Sequence, residues 1–179
     1  MKKNKLFLGL GMAFLALSII QSCADIPDGV KAVQNFQKEK YLGKWYEIAR
    51  FDYRFEKNID NATAFYAVNS DGTIKVVNKG FDNKKQKWTS VEGKAKFVGS
   101  ENEGRLKVSF FGPFYAGYNV VDIDENYQNA MVYGGSTKYI WFLSRNKTMD
   151  DATKKRFLAK ALKDGYDISK LIWVSQAKN

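Results

Sequence analysis

Gly43-Lys44-Trp45-Tyr46-Glu47-Ile48-Ala49-Arg50-Phe51-Asp52-Tyr53 is the stretch whose reading decides the fold. Aromatic and β-branched residues dominate it and a glycine opens it, so it reads as a β-strand over 44–53. Working outward, similar runs rich in Val, Ile, Tyr, Phe and Trp predict strands at 62–69, 73–80, 86–98, 104–111, 117–123, 129–134 and 138–144. Between them stand Ser70-Asp71-Gly72, Asp82-Asn83, Gly99-Ser100-Glu101-Asn102, Asp124-Glu125-Asn126 and Gly134-Gly135-Ser136, the residue types that close hairpins. Eight strands joined in order by short turns predict an all-β, up-and-down antiparallel barrel, which removes exposed sheet edges by closing on itself.

One stretch has a helical period instead. Thr148 or Asp150 can cap it, Asp150 and Asp151 sit in the first turn, and Phe157, Leu158, Ala161 and Leu162 form an apolar stripe through 151–164 before Gly165 stops it. A single helix packed outside the barrel is the expectation, with Leu171-Ile172-Trp173-Val174 as a last short strand. The only prolines are Pro27 and Pro113, and no long linker or repeat divides the chain, so one domain is predicted.

The N-terminus reads as an address. Lys2, Lys3 and Lys5 precede the apolar run Leu6–Ile20, which is too short to span a bilayer and has the form of a secretory signal. Ile20-Gln21-Ser22-Cys23 then resembles the lipobox of bacterial lipoproteins, which implies cleavage before Cys23 and its acylation. Ala24 behind it implies sorting to the outer membrane. The division expected is a signal over 1–22, an acylated leader over 23–40 and a barrel domain over 41–179. Loss of 1–22 removes three lysines and leaves 157 residues at formal charge +7, a surplus suited to anionic lipid head groups better than to nucleic acid.

Composition excludes much catalysis. With no histidine and one cysteine, there is no Ser-His or Cys-His pair, no His-ligated metal and no internal disulfide. Asp122-Ile123-Asp124-Glu125-Asn126 begins like a calcium loop, but Tyr127 takes the place of the required glycine. No phosphate-cradling glycine motif lies outside the signal, and Asp150-Asp151 reads as helix capping. No cofactor and no metal is expected.

Three motifs carry a resemblance. Gly43-Lys44-Trp45 with Phe36 and Tyr41-Leu42 before it, Val121-Asp122-Ile123-Asp124 with Tyr127, and Trp141-Phe142-Leu143-Ser144-Arg145 occur in the order and spacing of the lipocalin family. Phe51-Asp52-Tyr53-Arg54-Phe55-Glu56, Lys107–Tyr115 and Gly117-Tyr118-Asn119-Val120 are similar to its bacterial lipoprotein members. The resemblance implies a calyx that binds fatty acids such as palmitate, or lysophospholipids, for lipid storage, transport or envelope maintenance. It also implies that Arg145 closes the base. Physically, a calyx needs a plug, and Trp45 offers a flat ring over which the Arg145 guanidinium can lie.

Strand alternation then selects the cavity face. Trp45 inward places Glu47 and Ala49 inside; Arg145 at the rim places Tyr139, Trp141 and Leu143 inside. Family register adds Ala64, Tyr66, Val76, Asn78, Ala95, Phe97, Val108, Phe110, Tyr118, Val120 and Val132, with Phe55 near the mouth. The small residues leave room beside large ones, as an acyl pocket requires. Glu47 is expected to bond a tyrosine among Tyr66, Tyr118 and Tyr139, backbone near the base, or a cationic head group. The leading expectation is a non-enzymatic, membrane-anchored lipid binder. The alternatives are an envelope interaction protein whose barrel is filled by its own side chains, and a lipid-modifying enzyme relying on Glu47. Monomer and dimer are equally compatible with the sequence.

Overall fold

The computed structural model describes residues 25–53 and 56–178. The predicted signal and the lipobox cysteine Cys23 lie outside the described residues. Its strands are β1 (Gly43–Phe51), β2 (Ile59–Val68), β3 (Ile74–Asp82), β4 (Lys87–Phe97), β5 (Arg105–Ser109), β6 (Ala116–Ile123), β7 (Asn129–Tyr133), β8 (Ile140–Ser144) and β9 (Leu171–Trp173). A one-turn helix α1 (Lys38–Tyr41) precedes β1, and α2 (Asp151–Lys163) lies between β8 and β9. Each strand from β1 to β8 pairs antiparallel with the next, and β1 also pairs with β8, so the eight close into a barrel. The turn chemistry explains this order, since each hairpin is too short to let a strand skip its neighbour.

Closure is split along β1. Its first half pairs with β2, Trp45 opposite Ala64, whereas Ala49–Phe51 pair with β9. The C-terminal tail fills the gap this leaves: the Gln176 amide donates to the carbonyls of Glu47 (2.8 Å) and Ala62 (2.9 Å), and Asn61 Oδ1 accepts from Lys178 N–H.

Two apolar clusters follow from the alternation. The inner one contains Trp45, Ala64, Tyr66, Val76, Ala95, Val120, Val132 and Leu143. The outer one joins Ile48, Met131, Tyr133, Ile140 and Phe142 to Phe157 and Ala161 of α2, with the Phe142 and Phe157 rings edge-on at 5.1 Å. Asp150 caps the helix, its carboxylate accepting from Thr153 N–H at 2.9 Å. Gly165, in the left-handed region at φ +84°, ends it; Tyr166 N–H donates to the Ala161 carbonyl and Gly165 N–H to that of Leu162. The apolar stripe is narrower than expected, because Leu162 remains 56 % exposed.

Candidate functional site

At the base, α1 and the start of β1 build a plug. Gly43 takes φ +90°, which lets the chain turn sharply out of α1 and present Trp45 inward. Trp45 is fully buried; its indole N–H donates to the Tyr41 carbonyl at 2.8 Å, and its ring packs on Tyr41, which packs in turn on Phe36. Arg145 crosses this plug, its guanidinium carbon 3.9 Å from the Trp45 ring centroid. Its Nη atoms donate to the carbonyls of Lys44, Lys40 and Leu42 at 2.7–2.8 Å, satisfying the end of α1.

Above the plug, cross-strand partners place the expected residues in continuous rows. Ala64 stands opposite Trp45 and Asn78, Tyr66 opposite Val76, and Ala95 opposite Val108. Val132 stands opposite Val120 and Trp141. Phe97, Val108, Phe110, Tyr118 and Trp141 pack against the inner cluster but are only half-buried. Val91, opposite Asn78, is still 38 % exposed. Burial along the rows is uneven: Trp45, Val120 and Val132 are fully buried, whereas these five and Val91 keep accessible surface. Three phenols form a chain across the interior, Tyr118 hydroxyl bonding those of Tyr41 at 2.6 Å and Tyr66 at 2.7 Å. Burial pushes the ionisation of all three well up, so they stay neutral donors and acceptors.

Two expectations are corrected. Ala49 was placed inside by simple alternation, but the β1–β8 register shifts between Glu47 and Ala49. Glu47 faces Leu143 whereas Ala49 faces Phe142, and Ala49 belongs to the outer cluster beneath α2. Such a bulge adds one residue and exchanges the two faces beyond it. The inward place passes to Arg50, opposite Trp141 and 1 % exposed. Consequently Glu47 bonds neither Tyr66 nor Tyr118: its Oε1 accepts from Arg50 Nη1 at 2.5 Å. Arg50 Nη2 donates to the carbonyls of Glu56 and Ile59, tying the β1–β2 connection across the barrel. Glu56 accepts from the Trp141 indole N–H at 3.2 Å.

Nothing in the sequence marked this Glu47–Arg50–Glu56–Trp141 group, since only the bulge turns Arg50 inward. One guanidinium serves two carboxyls. Burial raises the Glu47 pKa to about 8, reinforced by the Glu56 charge and opposed by Arg50; burial likewise raises Glu56. Asn78 Oδ1 is buried without a hydrogen-bond partner on the same inner face. Tyr139 precedes β8, stacks on Trp141 with centroids 6.4 Å apart, and meets Tyr53 edge-on at 5.0 Å. Phe55 lies outside the described residues. Among the described residues no cluster of His, Cys, Asp and Glu could hold a metal ion.

A plugged eight-stranded barrel with an outer helix and an arginine stacked across the basal tryptophan is the architecture of a lipocalin. Residues 36–176 match the lipocalin-like domain family, and the chain belongs to it. It is similar to the outer membrane lipoprotein Blc of Citrobacter freundii, at 47 % identity over 92 % of this chain and 94 % of that protein. The same lipoprotein of Escherichia coli K12 is 46 % identical over 94 % of this chain and 97 % of its own. Temperature-induced lipocalin-1 of Arabidopsis thaliana is 40 % identical, covering 79 % of this chain and 80 % of that one. In fold the chain resembles insecticyanin of the tobacco hornworm Manduca sexta, with TM-score 0.66 at 20 % identity over 84 % of this chain and 86 % of that one.

Proposed function

We propose that this lipocalin is a lipid-anchored protein of the bacterial outer membrane that holds one fatty acid or lysophospholipid in its barrel, without catalysing a reaction. The observation that carries the reading is the incomplete burial of the inner face. Trp45, Val120 and Val132 are fully buried, while Val108, Phe110, Tyr118 and Trp141 are half-buried although they face inward. Inward apolar side chains left partly exposed border accessible space inside the barrel, which favours a ligand over a barrel filled by its own side chains. An acyl chain would run toward Tyr66 and Trp45, with its polar end beside Glu56, Trp141 and Asn78.

The anchor rests on Cys23 behind Ile20-Gln21-Ser22 and on the likeness to proteins named outer membrane lipoproteins. No helix among the described residues is long and apolar enough to cross a membrane. The division of the chain at 22/23, with 23–40 as leader, belongs to the same proposal. Absence of histidine and of a second cysteine supports binding without chemistry, since Glu47, the one buried acid considered for such a role, is held by Arg50.

Mass spectrometry of the protein purified from a Gram-negative host tests both halves. One equivalent of released fatty acid or lysophospholipid, plus acyl mass on Cys23 that Cys23→Ala abolishes, is the expected result. An empty, unacylated protein would refute the reading.

A further inference from the structure

In an up-and-down barrel, connections from odd to even strands all emerge at one end and the others at the opposite end. At the end away from the Trp45 plug are 52–58, 83–86, 110–115 and 134–139; at the plugged end are 69–73, 98–104 and 124–128. The plugged-end turns carry Asp71, Glu101, Glu103, Asp124 and Glu125, beside Lys40 and Lys44 around α1 and Arg145 and Lys147 after β8. The open-end connections carry exposed Lys57, Lys84, Lys85 and Lys138. Of the acids nearby, Asp60 accepts from Asn83, and Asp82 accepts from the N–H groups of Lys84 and Lys85 and pairs with Lys85. Asp52, with Asp25 and Asp28 of the leader, is the exposed remainder.

Within that basic rim, the β5–β6 connection projects Phe111, 70 % exposed, and Phe114, 80 % exposed, on either side of Gly112-Pro113. Two phenylalanines so exposed on one short loop are costly in water and suit a headgroup–acyl boundary. A third observation orients them. The leader runs along the barrel wall from the open end to the base: the Asp25 carbonyl accepts from Asn119 Nδ2 at 3.1 Å and lies against Gly117 near the start of β6. Val33 then bonds Val120 and Gly104, and Phe36 N–H donates to the Asn102 carbonyl at the plugged end. Cys23 is two residues before Asp25, so chain length holds it within about 7 Å of this open-end position.

We infer that the open end of the barrel is a membrane-docking face, with Phe111 and Phe114 inserted into the interface of an anionic bilayer and the lysine rim on its head groups. The inference deepens the anchored-lipoprotein reading, from which it takes the position of the acyl group. Its consequence is that the throat opens onto the lipid surface, so a single-chain lipid passes between bilayer and barrel without crossing bulk water. Aromatic insertion and basic rim act together, one through apolar burial and one through electrostatics sensitive to salt.

The test is spin-label depth measurement on the full chain, expressed in a Gram-negative host and reconstituted in vesicles of phosphatidylethanolamine and phosphatidylglycerol. Nitroxide is attached at Phe114→Cys or, as the plugged-end control, Glu125→Cys, both exposed positions whose substitution spares the core. Mass spectrometry reports acylation of Cys23 separately; if it is unmodified, the same labels are read in a Cys23→Ser background. Expected is relaxation of the 114 label by oxygen exceeding that by a water-soluble nickel complex, with the 125 label reversed, and loss of the 114 signature in 1 M salt or neutral vesicles. Acylated protein that floats with vesicles while its 114 label stays in water overturns the docking face and leaves the anchor standing. Depth at 114 without acylation supports docking and refutes the anchor; neither signal refutes both. Spin–spin broadening at 114 with no lipid depth would assign the patch to a second copy of the chain and overturn the inference.

Discussion

Arg145 lies over Trp45 at 3.9 Å while its two Nη atoms hold three carbonyls at the end of α1 and the start of β1. One side chain thereby seals the barrel, terminates a helix and neutralises carbonyl ends that would face the interior rim. Arg145→Leu is expected to lower stability by about 2–4 kcal/mol, from lost charged hydrogen bonds and the ring contact. Arg145→Lys recovers less than half, because an ammonium cannot span three acceptors in the plane of a fork. Urea unfolding followed by tryptophan fluorescence measures both.

The outer helix depends on Phe157, fully buried against Phe142. Phe157→Ala leaves a cavity between α2 and the sheet and is expected to cost about 3–5 kcal/mol. Differential scanning calorimetry would show it, and a loss under about 1 kcal/mol would mean the helix does not anchor the wall.

Stability should fall as pH rises between the ordinary carboxyl range and about 8. Burial raises Glu47 from 4.5 to about 8 and raises Glu56, so in that window the folded state binds protons the unfolded chain has released. That contribution is complete below the unfolded value and is lost as pH climbs through the folded one. Asp71, Asp82, Asp150 and Asp167 are held low by hydrogen bonds and act oppositely, but in more acid solution, beneath this window. Urea midpoints across the window should decline for the natural protein and flatten in Glu47→Gln; a rising curve would contradict the assignment.

Alternation together with the register implied by the family resemblance made much of the inner face legible. Ala64, Tyr66, Val76, Ala95 and Val132 come from the register implied by the lipocalin resemblance, and in the structure they join the inner cluster with Trp45. Ala49 broke the rule since a bulge has no composition of its own: nothing in Glu47-Ile48-Ala49-Arg50 distinguishes a regular strand from one with an extra residue. The polar group therefore stayed hidden, because alternation from Trp45 does not turn Arg50 inward. The plug aromatics Phe36 and Tyr41 were noticed as neighbours of Gly43-Lys44-Trp45, but only the fold brings them onto its ring.

A bulky side chain added on the inner face should compete with ligand. Val108 is inward and half-buried opposite Ala95 and Ala116. Val108→Trp is expected to weaken binding of a C16 fatty acid at least about tenfold, or about 1.4 kcal/mol, with little change in unfolding midpoint. Unaltered affinity would place the acyl chain elsewhere.

The central claim is that the barrel binds one acyl chain. Its most direct test is titration of a delipidated chain beginning at Ala24 with saturated fatty acids and lysophospholipids of increasing length, followed by tryptophan fluorescence. Saturation at one ligand per barrel is expected, with Kd near micromolar or tighter for C16 and affinity rising about tenfold per two methylenes until the throat is full. A folded, emptied barrel that binds neither class, or binds with no dependence on chain length, would contradict it.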